Sequence, residues 1–399
     1  MSSMSQNTNG VAKTSERLLS LDFFRGLTIA GMILVNNPGS WSYIYPPLEH
    51  AEWNGWTPTD LIFPFFLFIV GTSMAYSFAK RLEKGDKFWD MFKKVITRSL
   101  ILFGLGLFLA FFPRAIMNKV LFDKFDLVNL RIPGVLQRIA LCFFFGSLII
   151  LKLKEKWQYI VTGALMIVYW LGMLLICVPG YGAGDFSLQG NVCGYLDKIV
   201  FGPTHLYIKN AVKNLYFDPE GFWSTLPAIA TTMFGYFTGQ WLRSKDSAED
   251  KTLRLFINGN VFIVFGAVLG LFIPINKQLW TPSYAVLMSG MAMVFLAMSY
   301  YLVDVKKFRF GVMPMVWLGT NAITAFVGSG LLARVFIYFI KLPLEAGKDP
   351  VGLNTVIYKT LLVPWAGNHF GSLVWALLNV AVWIGLMKLL YDRKIFIKV

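Results

Sequence analysis

The chain has 399 residues, 56% of them hydrophobic and only 15% charged, against about 25% charged in ordinary soluble domains. Its mean hydropathy of +0.57 excludes a soluble globular class and indicates a membrane protein. The formal charge of +15 does not point to nucleic acid. Lys and Arg fall in short clusters between apolar runs, as in cytoplasmic membrane loops, and no basic face carries interleaved aromatics.

Residues 1–17 are polar and read as a disordered cytoplasmic N-terminus; residues 18–399 read as a single transmembrane domain. A span needs about 20 mostly apolar residues. That length predicts an all-α polytopic bundle of roughly ten spans, at 18–37, 58–79, 95–113, 132–151, 157–178, 223–242, 255–274, 281–303, 313–340 and 370–391. The first run holds Asp22 and Arg25 and has no small-residue cleavage site, so it reads as a retained span. The ninth is long enough to be tilted or broken, and a short apolar stretch at 354–365 reads as re-entrant or interfacial.

Counting basic residues in alternate loops places both termini in the cytoplasm. The segment from Arg114 to Arg131 runs against this count, with four basic residues on the outer side. His50, His205 and His369 then face outward, with one large outer loop at about 179–222. Cys142, Cys177 and Cys193 show no paired spacing and the histidines no ligand spacing, so neither a disulfide framework nor a metal site is expected.

The segment HAEWNGWTPTD, beginning at His50, carries the most chemistry. Asn54-Gly55 favours a tight turn, and Thr57, Pro58 and Asp60 form a helix start, with a cap, a proline in the first turn and an acid at the positive end. His50 is thereby held at the outer mouth of the second span, where an imidazole exchanges protons near neutral pH. Asp60 reads either as a helix cap or as an acid of the site, and Trp53 and Trp56 as interfacial belt residues or as faces that stack on a sugar. Within the spans, Asp22 and Arg25 are spaced to pair on one helix face, and Asn36, Gln137, Arg138 and Asn321 are polar groups that either bond between helices or line an internal path. No Walker loop, dinucleotide fingerprint, GxSxG or HExxH is present.

In order along the chain stand LDFFRG at Leu21, VNN at Val35, HAEWNG at His50, DLIFPFF at Asp60, RIPGVLQR at Arg131, HLY at His205, DPEG at Asp218 and PINKQLWTPSY at Pro274. Together they resemble the heparan-α-glucosaminide N-acetyltransferase family over most of the chain. The resemblance implies transfer of acetyl from cytoplasmic acetyl-CoA to the amine of a terminal glucosamine across the membrane. It also implies that His50 is the active-site histidine and Asn36 the catalytic asparagine. The N-terminal lumenal domain and extra helix of the animal enzyme have no counterpart here, and the stretch between Asn36 and His50 is a few residues longer. The shorter form implies a bacterial cytoplasmic membrane, with the acceptor on the periplasmic side.

On this reading Trp53, Asp60, Asp218 and Glu220 are candidate acceptor-binding residues, although Asp218 and Glu220 read equally as caps of the helix near Trp223. Arg25, Arg98, Arg138 and Arg243 are candidates for the CoA phosphates. The lipid bilayer and the amino sugar are the expected partners, with a homodimer as one candidate assembly. Two other classes stay open at this stage: a sugar transporter or binding protein without chemistry, and an O-acyltransferase acting on an envelope polysaccharide.

Overall fold

A computed structural model describes residues 18–122, 128–344 and 349–397; the expectation for the N-terminal 1–17 and part of the segment from Arg114 to Arg131 lie outside them. The helices are α1 (Leu19–Asn36), α2 (Ile62–Glu83), α3 (Phe88–Phe122), α4 (Val135–Lys152), α5 (Glu155–Leu175), α6 (Val192–Phe201) and α7 (Thr225–Leu242). They continue with α8 (Ala248–Leu269), α9 (Pro282–Ser299), α10 (Val312–Thr320), α11 (Ala322–Arg334), α12 (Leu353–Ile357) and α13 (Val363–Asp392). Two small antiparallel hairpins join β1 (Ile208–Asn210) to β2 (Leu215–Phe217) and β3 (Lys341–Leu342) to β4 (Val351–Gly352). Among the described residues nine helical stretches are long and apolar enough to cross a membrane, so this is an integral membrane protein.

The stretch expected at 223–242 does form a helix, α7, but it falls outside those nine. The reason is packing. Fourteen residues of α7 are buried, four of them threonines, because it lies inside the bundle against α2, α4, α5 and α9 and needs no lipid-facing apolar surface. α2 and α7 approach closely: a Cβ at Gly71 would lie 1.8 Å from Thr232 O and one at Gly235 2.0 Å from Phe68 O. Small residues allow the backbones to meet, as is general for helices in lipid. α1 and α10 meet the same way, with Gly26 against Met315 and Gly319 against Asp22.

The expected ninth span is broken at Asn321, between α10 and α11. The buried Asn321 amide accepts from Ile397 N at 2.9 Å and donates to Ile395 O at 3.1 Å, so the C-terminal tail fills the break. The 354–365 stretch is the first part of a 40-residue segment running to Asp392. Gly367, at φ 69°, kinks that segment. Both described chain ends lie at one end of the bundle, since Ser20 N donates to Asp304 Oδ2 and Tyr391, Leu19 and Phe23 pack against the same cluster of Val303, Val312 and Val316. α1 then carries the chain about 27 Å at 1.5 Å per residue, so Asn36 and the His50 segment sit at the opposite end.

Candidate active site

The turn between α1 and α2 is built around one carboxylate. Thr57 caps the short helical turn Pro58–Leu61, and Asp60 Oδ2 accepts from Thr57 N and Ala51 N, both at 3.0 Å. Its other oxygen lies 2.7 Å from His50 Nδ1 and 3.2 Å from Lys277 Nζ. The two readings of Asp60 are therefore one: capping fixes the carboxylate, and the carboxylate orients the histidine. Asp60 is 1% exposed, whereas the His50 side chain is 51% exposed. A proton on Nδ1 donated to Asp60 would leave the Nε2 lone pair as the basic site of the ring.

Lys277 comes from the loop between α8 and α9, with Nζ 2.8 Å from His50 Nδ1 and 3.3 Å from Nε2. Burial lowers its pKa below the ordinary lysine value, against the pull of Asp60. Sequence reasoning gave it no role; its signal was only its place in the PINKQLWTPSY stretch. That loop is pinned to the turn by Gly55 N donating to Ile275 O at 2.7 Å and by Asn276 Nδ2 donating to Asn54 Oδ1 at 3.2 Å.

A second polar group lies beside it. Arg131 forks onto Asp218 through Nε and an Nη at 2.8 and 2.7 Å and also pairs with Glu220. Asp218 accepts in addition from Tyr207 N and Glu220 N, so each of its oxygens already holds two hydrogen bonds. Burial pushes the Asp218 carboxyl up while Arg131 pulls it down, with the net shift upward. Burial works to lower Arg131, but the two carboxylates outweigh it and raise it above its usual value. Glu220 also acts on Lys277 through charge, which links this cluster to His50. Trp53 donates to Phe186 O at 2.8 Å and packs on Phe217, anchoring the loop between α5 and α6.

Asn36 stands apart. No hydrogen bond joins it to His50 among the described residues; it lines a cavity of about 460 Å³ shared with α11, α12 and α13. His205 holds a loop, with Nδ1 2.6 Å from Leu130 O, and His369 packs between Tyr43 and Tyr45.

The four arginines separate. Arg25 and Arg98 share a cavity of about 230 Å³ inside the bundle, walled by α2, α3, the first turns of α4, the break between α10 and α11, and Ile397. Arg25 bonds Asp22, Gly319 O and Ser73 Oγ, and Arg98 lies over Phe143 with its buried Nε unpartnered. Arg138 is buried near the His50 end, donating to Gly221 O and Ser224 and lying over Trp280. Arg243 pairs with Glu83 in a separate contact at the termini end.

Residues 17–271 match the model of the heparan-alpha-glucosaminide N-acetyltransferase catalytic family. The chain belongs to this family. The match takes in the whole Asn36–Asp60 segment, Arg131, Asp218 and Glu220, but ends before Lys277. The heparan-alpha-glucosaminide N-acetyltransferase of Homo sapiens is 29% identical over 96% of this chain and 60% of its own length. That of Mus musculus is 28% identical over 97% of this chain and 61% of its own length. The chain thus spans about 60% of the length of the curated relatives it matches.

Proposed function

We propose that this protein is a transmembrane acetyltransferase that moves an acetyl group from acetyl-CoA to the amine of a glucosamine-type sugar at the His50 end. The match of the family's catalytic model over residues 17–271 carries the reading. Arg25 and Arg98 in one largely apolar cavity inside the bundle suit an anionic donor: two guanidinium groups there favour a phosphate-bearing ligand. On the basic-loop count the termini end is cytoplasmic.

An amine attacks only after losing its proton, and the thioester oxygen becomes anionic as the bond forms. His50 Nε2 takes the proton while Asp60 holds the ring through Nδ1–H. The nitrogen bonds to the acetyl carbon, the carbon–sulfur bond breaks, and the CoA thiolate takes up the proton from His50. The Lys277 ammonium beside His50 is the donor for the oxyanion; Asn36, which the family resemblance makes catalytic, lines a neighbouring cavity. Acetyl transfer through His50 itself, with an acetyl–imidazole intermediate, uses the same groups and gives ping-pong kinetics.

The test supplies purified protein in detergent with acetyl-labelled acetyl-CoA and glucosamine. Label is expected in N-acetylglucosamine with wild type and not with His50→Ala. Label that persists in the mutant removes His50 from the mechanism; no transfer by wild type removes the acetyltransferase reading. Mass spectrometry separates an amide product from an ester.

A further inference from the structure

Three helix ends meet at one corner of the termini end. α3 starts at Phe88, α4 returns beside it to finish at Lys152, and α5 sets out from Glu155. Lys87 closes the first turn of α3 through its carbonyl, Lys152 ends α4, Lys154 caps α5 and Lys156 lies in its first turn. The Lys152 ammonium stands 4.3 Å from the centre of the Phe88 ring, which brings the end of α4 onto the start of α3. All four lysines are exposed, and none pairs with a carboxylate among the described residues.

The acids nearby do not neutralise them. Asp86 is already held by Arg81 at 3.3 Å and Lys94 at 3.1 Å. Asp90 and Glu155 sit in the first turns of α3 and α5, where the positive helix ends favour a carboxylate. The loop between α7 and α8, at the same end of the bundle, is balanced instead. Its Lys245, Lys251 and Arg254 stand among Asp246, Glu249 and Asp250, and Arg254 pairs with Asp246.

Two indoles flank the lysines. Trp89 is 65% exposed and Trp157 54%, and Trp89 packs edge-on against Phe88 and Phe92. Tryptophans placed this way sit at the headgroup level of a bilayer. Deeper along the same helices the outward faces are apolar, with Leu100 and Ile101 exposed on α3 and Ile160 and Ile167 on α5. A surface that is cationic at the headgroup level and apolar below it matches both parts of an acidic lipid, whereas a soluble anion matches only the first. We propose that this corner binds an anionic phospholipid, its headgroup phosphate against Lys87, Lys152, Lys154 and Lys156 and its acyl chains along α3 and α5. The site stands apart from the acetyltransferase reading, since none of these residues lines the Arg25 and Arg98 cavity.

The test measures binding of single lipids to the full chain in detergent by native mass spectrometry, with phosphatidylglycerol and phosphatidylcholine of the same acyl chains. Wild type is expected to prefer phosphatidylglycerol, and raised salt to shrink the preference. Lys152→Gln with Lys154→Gln is expected to weaken phosphatidylglycerol binding about 30-fold, the effect of two lysines near an anionic surface. Phosphatidylcholine binding and the lipid-free melting temperature stay as in wild type. Lys245→Gln with Lys251→Gln removes the same charge from the α7–α8 loop and is expected to leave binding unchanged. Should the corner variant fail to fold, Lys154→Gln with Lys156→Gln serves in its place with the same expectation. Wild type without a preference, or a folded corner variant that binds as wild type does, overturns the inference. An equal loss in both double variants overturns it as well, because diffuse attraction then replaces a site. Displacement of the lipid by inorganic phosphate at constant ionic strength overturns it in favour of a soluble anion.

Discussion

Lys277 Nζ reaches both ring nitrogens of His50, at 2.8 Å from Nδ1 and 3.3 Å from Nε2, across 227 residues of sequence. A carbonyl attacked beside Nε2 therefore lies within reach of an ammonium already held by Asp60. Loss of one such donor costs on the order of 10² to 10³ in kcat, and Lys277→Met is expected to show it with little change in KM for acetyl-CoA. The pH profile gives a second reading. Burial lowers the Lys277 pKa, so wild-type activity falls on the alkaline side as the ammonium loses its proton. Lys277→Arg, charged throughout, moves that limb to higher pH. A Met variant with wild-type kcat would remove Lys277 from the chemistry.

Asp60→Asn keeps the shape of the side chain and removes its charge. The imidazole then loses the acceptor that fixes its proton on Nδ1, and kcat is expected to fall by about 10² to 10⁴. The mostly buried Lys277 loses its counter-charge as well, so the melting temperature drops by the equivalent of about 1–3 kcal/mol. Steady-state kinetics and thermal unfolding in detergent check the two effects separately. Normal kcat in a destabilised variant would leave Asp60 as a cap alone.

Much of this was legible in the chain because bilayer physics is local. Apolar length alone located the bundle, and the Thr57–Asp60 start signal located the mouth of α2 beside His50. The packing-dependent features were not legible. α7 reads like any other span, yet its threonines record burial inside the bundle. Lys277 reads as an ordinary loop cation, because the pairing of its loop with Asn54 and Gly55 is long-range. The arginines show the same limit: basic side chains near span ends look alike, but only Arg25 and Arg98 converge on one cavity. The Asn36 cavity is assembled by helices more than 290 residues away, which no local pattern encodes.

Arg131 neutralises two carboxylates at once. Arg131→Met leaves the buried Asp218 beside Glu220 with no cation between them. Stripping one partner from a buried ion pair costs about 3–5 kcal/mol, so a large fall in melting temperature is expected. Because the loss comes from stranded charge, adding Asp218→Asn and Glu220→Gln to the same protein should restore most of it. If the triple variant is no better than Arg131→Met, packing and not charge holds this loop.

Asp197, on α6, is a buried acid whose Oδ2 has no partner among the described residues. A Cβ at Gly221 would lie 1.8 Å from that oxygen, so close packing fills the space around it. Burial pushes its carboxyl up to about 8, against the single hydrogen bond from Phe222 N. The sign follows from linkage. Between the ordinary carboxylate range and about 8, the folded protein keeps a proton that the unfolded chain gives up, so stability falls as pH rises. The slope is at most about 1.4 kcal/mol per pH unit, and it vanishes above the folded value. Asp197→Asn keeps the acceptor for Phe222 N and removes the titration. Its melting temperature should exceed that of wild type at pH 8, and the gap should close as the pH is lowered toward 4. A constant difference between the two proteins across that range would show that Asp197 does not hold the proton.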